Sequence, residues 1–314
     1  MMKPWLGALA LAAVAARSGE PAQDGPSVLA RLGYPASARL LVINADDLGM
    51  SHSVNQATFE AFEKASINSA TILVPCPWFP EVAAFAKAHP EADLGIHLAL
   101  NSEWTTLRWG PILGRTAVPS LLDEEGYLPL VHEPIVERAR PDEVEKELRA
   151  QIEMAIRAGI RPTHFDTHME TLMQSAPLIE IYRRLGREYG VPIRAAFDRQ
   201  LPEGLEAWGP ETLLDRSITF EESVPRKEWL PTYVKLLRPL PPGVYELVIH
   251  LARDDEEMRG ATVGHTDWGA AWRQADVETI GSPEFRQFLK EQGFVLLGWK
   301  DLARALPSGY AKKR

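Results

Sequence analysis

Strand-like and helix-like segments alternate along the chain after residue 38, and this order restricts the fold more than any other feature. Short apolar runs predict strands over residues 40–45, 69–74, 93–98, 162–166, 192–195, 216–220, 244–249 and 293–297. Helical spacing of apolar residues predicts helices over 53–65, 79–89, 141–158, 175–189, 226–238 and 281–292. Repeated strand–helix order is typical of a parallel sheet that is covered by helices.

The number of predicted strands favours an α/β fold of the (β/α) barrel type. Seven or eight strands without a glycine-rich dinucleotide turn indicate a closed, nearly closed or irregular TIM-like barrel rather than an open Rossmann sheet. We expect one barrel domain over residues 39–306 and a C-terminal tail over 307–314. Residues 101–140 show little periodicity and predict a long loop over one end of the barrel.

Composition and charge exclude several classes of protein. The 314 residues are 45% hydrophobic and 25% charged, which is ordinary for a globular protein. A formal net charge of −9 and the lack of a basic block argue against a nucleic-acid partner. Because Cys76 is the only cysteine, no internal disulfide and no thiolate metal cluster can form. The sequence leaves the oligomeric state open, a homo-oligomer included.

The first residues, "MMKPWLGALALAAVAARSGEPAQ", differ from the rest of the chain. Lys3 precedes an apolar run over 5–16 that is too short to span a bilayer, so no stable membrane insertion is expected. This layout predicts a secretory signal peptide over residues 1–16, followed by a flexible segment over 17–38. The alternatives are a mis-assigned start codon and an ordinary amphipathic leader. We therefore expect export to the periplasm or the extracellular space.

Two adjacent aspartates, Asp46 and Asp47, follow the first predicted strand directly. Two like charges repel each other and lose hydration in a core, so a core accepts them only with a partner. One explanation is a structural role as turn and capping residues before a helix that begins near His52. The other explanation is a functional site, and it depends on what the remaining strands carry.

Three more predicted strands deliver polar side chains at their ends. These are His97 in "DLGIHLAL", His164, Asp166 and His168 in "RPTHFDTHMET", and His250 in "GVYELVIHLA". In a (β/α) barrel the carboxyl ends of the strands face one common mouth, where active sites are built. Any one of these histidines alone is more often a buried packing residue, but the shared placement predicts a site.

Carboxylate and imidazole groups without thiolates suit one divalent metal ion, either zinc or a harder ion such as magnesium. One aspartate and two histidines leave coordination positions open for water and substrate. The ion lowers the pKa of a water molecule, a second aspartate can take the proton, and a separate histidine can protonate the leaving group. These parts describe metal-assisted hydrolysis of an amide or ester. His164, two residues before Asp166, is expected to pack or to hydrogen bond rather than to bind the ion.

The ordered set of motifs resembles the YdjC-like carbohydrate deacetylases. The motifs are "INADDLGMS", "LGIHLAL", "THFDTHMET", "YELVIH" and the closing "WRQADVETIGSPEFRQFLKEQGFVLLGWKDL". The resemblance covers residues 39 to 302 and implies a barrel like that of the polysaccharide deacetylases. It also implies removal of acetyl groups from N-acetylated sugars such as chitooligosaccharides.

The resemblance also implies a role for each strand-end residue. Asp47, His97 and His168 would bind the metal ion. Asp46 would be the catalytic base that activates water, and His250 would be the general acid. A cation next to the aspartate pair removes the objection to two adjacent negative charges.

Two stretches depart from the family pattern. Family members usually have further histidines after the position of His168, where this chain has Met169, Glu170 and Thr171. They also usually have Pro-Gly after the last histidine, where this chain has Leu-Ala at 251–252. Both changes touch substrate-side loops and motivate two alternatives. One is a catalytically silent, metal-stabilised carbohydrate-binding protein, and the other is a metal hydrolase of a different amide or ester.

Five further residues are secondary candidates. Arg194, near the end of its predicted strand, could contact substrate or pair with an aspartate. Trp104, Trp109 and Trp268 lie in predicted loops, where indole faces either stack on sugar rings or pack within the loop. Asp166 could orient a histidine that binds the ion.

Overall fold

The computed structural model describes residues 26–205, 207–220 and 224–310. The strands are β1 Arg39–Leu48, β2 Ser69–Ile72, β3 Leu94–Leu98, β4 Phe165–Thr167, β5 Arg216–Thr219, β6 Gly243–Ile249 and β7 Phe294–Leu296. Within these ranges the α-helices are α1 Val28–Leu32, α2 His52–Glu63, α3 Phe79–Ala88, α4 Glu133–Arg138, α5 Pro141–Arg157, α6 Ala176–Tyr189, α7 Trp229–Leu237, α8 Glu256–Ala261, α9 Ala270–Ile280, α10 Pro283–Glu291 and α11 Trp299–Leu302. The predicted signal peptide over residues 1–16 lies outside the described residues.

Every strand pair in the sheet is parallel, and the strand order is β4-β3-β2-β1-β6-β5. Strand β1 is central. Along one edge, residues 39–45 of β1 pair with β6. Along the other edge, residues 39–41 of β1 pair with β7 and residues 44–48 pair with β2. The run 40–43 is fully buried because both faces of β1 are covered, which explains its continuous apolar sequence.

Residues 192–196 complete the ring between β4 and β5. Phe165 bridges Ile193 and Ala196 bridges Leu214, both in parallel orientation. The sheet therefore curls into an irregular barrel, which confirms the predicted fold class. The strand predicted over 192–195 is reduced to single bridges, in part because Pro192 has no N–H to donate to a ladder.

The segment predicted to be flexible, residues 17–38, is described from residue 26 and contains helix α1. Helix α1 begins after Ser27, whose side chain accepts a hydrogen bond from the backbone N–H of Ala30. Val28 and Leu29 are buried, and the Arg31 guanidinium donates to a backbone carbonyl at the C-terminal end of the barrel domain. Within the described ranges, no helix combines the length and the apolar character that a bilayer span requires.

Helix α9 is absent from the sequence prediction although it packs against the barrel. Its buried side chains include Arg273 and Asp276 as well as Trp272, Ala275 and Ile280. Charged residues on the buried face hide the helical period of the apolar ones. This helix supplies one of the charged side chains of the site.

Helix α11 closes the amino-terminal end of the barrel. The Trp299 indole is fully buried and stacks on the His164 ring, with 4.7 Å between ring centroids and 10° between planes. His164 therefore lies away from the carboxyl ends of the strands and packs against an aromatic ring. Gly95 in β3 leaves the space that the His164 ring occupies.

We expect Gly95→Ala to destabilise the protein by about 1–3 kcal/mol, the usual cost of an overpacked core. A Cβ atom at this position would overlap the His164 ring, which is held by Trp299 and cannot move away freely. Thermal unfolding measures the effect. Gly260→Ala in α8 is the control, because a Cβ atom there meets nothing within 4 Å and alanine favours helices. Equal melting temperatures for the two variants would contradict this account of Gly95.

Candidate metal centre

Asp46 and Asp47 lie inside β1, because the strand continues to Leu48. They are therefore not capping residues, and Ser51 caps α2 instead. Asp47 has a φ of +68° and the pairing of β1 with β2 shifts register at this point. Adjacent side chains of a regular strand point to opposite faces. The irregularity brings both carboxylates to one side, where they lie 3.7 and 3.5 Å from His97 Nε2.

The three predicted metal ligands meet at the carboxyl ends of β1, β3 and β4. The candidate ligand atoms of Asp47, His97 and His168 all lie within 4.8 Å of one another, and all three residues are buried. Asp47 Oδ1 lies 3.5 Å from His97 Nε2 and 3.4 Å from His168 Nδ1. This oxygen has no hydrogen-bond partner among the described residues. A buried orphan oxygen facing two imidazole nitrogens fits the donor set of a divalent cation.

Each of the two histidines is oriented by a carboxylate on its far side. His97 Nδ1 lies 2.7 Å from Asp166 Oδ1, and His168 Nε2 lies 2.7 Å from Glu103 Oε2. Such partners fix the ring and make the opposite nitrogen a better ligand. Thus His97 faces the centre through Nε2 and His168 through Nδ1. Asp166 occupies the orienting position suggested by the sequence, whereas Glu103 lies in the loop after β3 and carries no strand-end signal.

The second oxygen of Asp47 belongs to an ion pair that the sequence does not reveal. Arg273 Nη2 in α9 donates to Asp47 Oδ2 at 2.6 Å, across 226 residues of sequence. Burial raises the pKa of the Asp47 carboxyl, but Arg273 and His168 outweigh burial and hold it well below its usual range. Asp47 therefore stays ionised, with one oxygen bound by arginine and the other free to bind a cation.

Asp46 is held by three donors in the barrel interior. Arg194 Nη1 lies 3.0 Å from Asp46 Oδ2, and Asn44 Nδ2 and Thr71 Oγ1 donate to Oδ1 at 2.8 and 3.3 Å. Arg194 Nη1 also lies 3.1 Å from Asp166 Oδ2. Of the two roles suggested for Arg194, the structure shows the pairing with aspartate. Its guanidinium links the predicted base to the carboxylate that orients His97.

His250 follows β6 and is half-buried at the same end of the barrel. Its backbone N–H donates to Asp276 Oδ2 at 3.1 Å, and Asp276 also accepts from Trp229 Nε1 and the Tyr233 hydroxyl. Burial lowers the pKa of His250 to about 4, with Asp47 opposing this shift. The imidazole is therefore neutral at pH 7 in this state, and it must gain a proton before it can donate one.

The tryptophans predicted to contact substrate lie near the centre. Trp104 and Trp109 are only 2% and 3% exposed. The Trp109 ring centroid lies 5.8 Å from that of His168, and the Arg273 guanidinium lies 5.7 Å from the Trp104 centroid. Trp268 is half-buried. Trp104 and Trp109 expose no ring face for stacking in this state, and substrate contact by the three residues stays a prediction.

The stretch that departs from the family pattern after His168 lies in His168–Met173, where the backbone is kinked at Met169 and Glu170. Met169 and Glu170 have φ values of +50° and +55°, and Glu170 forms an ion pair with Arg199. The Thr171 hydroxyl donates to Asn101 in the loop after β3. These contacts tie this stretch to its neighbours near the carboxyl ends of the strands.

Glu246 lies deeper in the barrel and is not among the predicted site residues. It is fully buried, with Oε1 accepting from Trp299 Nε1 at 2.9 Å and Oε2 lying 3.9 Å from Arg194 Nε. Burial raises the pKa of Glu246 to about 8 from an ordinary value of 4.5. The folded protein thus binds the proton of the Glu246 carboxyl more tightly than the unfolded chain does. The stabilisation that comes from this tighter proton binding is fully present below about pH 4.5 and is lost as the pH rises to about 8.

We therefore expect Glu246→Gln to raise the free energy of unfolding at pH 9 and to change it much less at pH 5. A difference of one in pKa corresponds to about 1.4 kcal/mol. The free energy of unfolding of the variant, relative to the wild type, should therefore rise by a few kcal/mol from pH 5 to pH 9. Urea unfolding at both pH values measures it. Glu291→Gln on the surface is the control and should keep the wild-type pH dependence. A Glu246→Gln curve parallel to the wild type would contradict the burial of a protonated carboxyl.

Comparison with known proteins places the chain in a family. The model of the YdjC-like protein family matches residues 40–291. The chain is 34% identical over 294 residues to a Thermus thermophilus protein named carbohydrate deacetylase, covering 89% of this chain and 99% of the relative. It is 30% identical over 271 residues to an Enterococcus faecalis protein of the same name, covering 85% and 99%.

The fold agrees with a solved structure. A crystal structure of an Enterococcus faecalis protein matches with a TM-score of 0.73 and 27% sequence identity, covering 85% of this chain and 99% of that chain. The stretch matched by the family model contains Asp46, Asp47, His97, His168 and His250. The family suggested by the motifs is thus confirmed, and the chain belongs to the YdjC-like family.

Proposed function

We propose that this protein is a divalent-metal-dependent deacetylase that removes acetyl groups from N-acetylated sugars. The observation that carries the proposal is the convergence of Asp47, His97 and His168, with Asp46 beside them, in one buried cluster. The two relatives compared above are both named carbohydrate deacetylase, which supports a sugar substrate.

Three atoms of the chain would hold the cation: Asp47 Oδ1, His97 Nε2 and His168 Nδ1. A bound zinc or magnesium ion supplies a Lewis acid that polarises an acyl carbonyl and lowers the pKa of water. Asp166 and Glu103 would keep the two rings in place, and Arg273 would keep Asp47 Oδ1 directed at the centre. These contacts fix the orientation of all three ligand side chains.

Asp46 would accept the proton of the attacking water. Its Oδ2 lies 3.7 Å from His97 Nε2, which places the carboxylate beside the ligand set. Arg194 and Asn44 hold this carboxylate in one orientation. A positioned base contributes more than a mobile one because the geometry of proton transfer is set in advance.

His250 would deliver a proton to the departing amine. Burial lowers the pKa of its imidazole to about 4, so the neutral form prevails near pH 7. His250 would take a proton from solvent and pass it to the amine nitrogen as the C–N bond breaks, so that the group leaves as a neutral amine. Asp46 would then return the proton of the attacking water to solvent. The hydrogen bond from its backbone to Asp276 fixes the end of β6 from which the ring extends.

The test is acetate release from a panel of N-acetylated monosaccharides and oligosaccharides, with zinc and with magnesium. Treatment with a chelator should stop release, and adding back the metal should restore it. A protein that holds the metal and releases no acetate from any sugar would overturn the proposal. Sugar binding without release would favour the silent binding protein, and acyl release from simple amides or esters alone would favour the other hydrolase.

We also propose that the protein acts outside the cytoplasm, on the basis of the leader over residues 1–16. Mass spectrometry of the native protein from separated cell fractions tests this. The expected result is an exported form that lacks the leader. A cytosolic protein that retains the leader would contradict the proposal.

A further inference from the structure

Three buried nitrogen donors around the candidate metal centre have no acceptor among the described residues. They are Arg273 Nη1, Trp104 Nε1 and Trp109 Nε1. Three other indoles do have acceptors: Trp208 Nε1 donates to Arg199 O at 3.1 Å, and Trp229 and Trp299 donate to carboxyl oxygens. Native proteins leave few buried N–H groups unpaired because the loss of hydration destabilises the fold. Three such groups in one neighbourhood indicate a ligand that supplies acceptors.

The side chains that carry the three donors lie near the candidate ligands of the ion. The Arg273 guanidinium is fixed in place, because Nη2 donates to Asp47 Oδ2 and Nε donates to Trp268 O, both at 2.6 Å. Nη1 is thus the one nitrogen of this guanidinium without a hydrogen-bond acceptor among the described residues. The guanidinium lies 5.7 Å from the Trp104 ring centroid. The Trp109 ring lies 5.8 Å from that of His168.

Two segments of chain cover these donors and limit the access of water. The Trp104 ring contacts the His265 ring edge to face, with 4.9 Å between centroids. The Thr106 hydroxyl donates to Gly260 O at 2.6 Å. The loop after β3 is therefore tied to the end of α8 and the segment that follows it. Hydrogen bonds made under such cover are stronger than hydrogen bonds made in open solvent.

We infer that Arg273 Nη1, Trp104 Nε1 and Trp109 Nε1 form a donor subsite for acyl oxygens. It binds the carboxylate of a short acyl product such as acetate, and the acyl oxygen of the substrate before it. A guanidinium suits a carboxylate, and an indole N–H can only donate. The inference rests on the proposed function and deepens it. It gives Trp104 and Trp109 a role through their nitrogen atoms instead of their ring faces.

The test observes the donors directly, without turnover. Nitrogen-15-labelled protein supplied with zinc chloride is titrated with sodium acetate, with sodium chloride at equal ionic strength as the control. Trp104→Phe and Trp109→Phe each delete one indole signal and so assign it. We expect saturable shifts of these two indole N–H signals and none of the Trp208 signal. Unshifted Trp104 and Trp109 signals at high acetate concentration would overturn the inference.

Calorimetry then measures the affinity for acetate in variants that keep the protein folded. Trp104→Phe and Trp109→Phe retain an aromatic ring and should each weaken binding about five- to tenfold, the effect of one lost hydrogen bond. Arg273→Lys should weaken it more than tenfold, because lysine cannot reach Asp47 and the ligand together. Trp208→Phe is the matched control and should bind as the wild type does. Unchanged affinity in the first three variants would overturn the inference.

The outcomes separate this inference from the proposed function. Acetate release from sugars combined with unshifted indole signals would refute the donor subsite alone. Shifted signals and donor-dependent binding, with no acetate released from any sugar, would refute the deacetylase and leave the subsite standing. If Arg273→Lys fails to fold, the indole shifts of the wild-type protein still decide the question.

Discussion

Asp46→Asn is expected to keep the metal ion and to lose acetate release by roughly 10²–10⁴-fold, the usual contribution of a positioned base. The amide matches the shape of the carboxylate, and its oxygen can still accept from Asn44 and Thr71. Its NH2 group replaces the oxygen that faces Arg194. An amide cannot accept the proton of water. Metal content by mass spectrometry and kcat for acetate release measure the two effects separately.

Asp93→Asn is the matched control for this experiment. Asp93 is also a buried aspartate, but it lies before β3 at the opposite end of the barrel, where it accepts from Ser69 and from the backbone of Lys300. This variant should keep kcat even if its melting temperature falls. Undiminished kcat in Asp46→Asn would remove Asp46 from the proposed role, whatever the metal content.

His97→Ala and His168→Ala are each expected to lower metal affinity by roughly 100-fold or more. Loss of a residue that only supports a metal ligand typically costs 10–100-fold, and loss of the ligand itself should cost at least as much. Each substitution also leaves a carboxylate without its imidazole partner, either the buried Asp166 or the half-buried Glu103. Titration of the metal-free protein with zinc, followed by calorimetry, measures the dissociation constants.

His164→Ala separates metal binding from general damage to the barrel. His164 is fully buried and stacks on Trp299, so its removal should lower the melting temperature by leaving a cavity. Zinc affinity should change little, because the ring lies away from the ligand cluster. If all three histidine variants lost zinc equally, the loss would report unfolding instead of coordination, and the assigned ligands would be unsupported.

Much of the fold could be read from local patterns. The continuous apolar run of β1 and the regular spacing of α5 reflect burial on two faces and on one face, respectively, and burial of this kind is visible in a short window of sequence. The closure of the barrel was harder to predict from the sequence. Residues 192–195 were predicted as a strand but pair only through single bridges. Helix α9 was missed because Arg273 and Asp276 on its buried face hide the helical period of its apolar residues.

The sequence by itself determined that Asp and His side chains stand at the carboxyl ends of several strands, and parallel pairing then requires them to share one mouth. It could not determine which atoms meet there. The left-handed backbone of Asp47, which turns two adjacent carboxylates to one side, depends on its packing in β1. The pairs of Arg273 with Asp47 and of Glu103 with His168 join residues 226 and 65 positions apart. Local periodicity carries no information about such partners, because only the closed barrel and its covering loops bring them into contact.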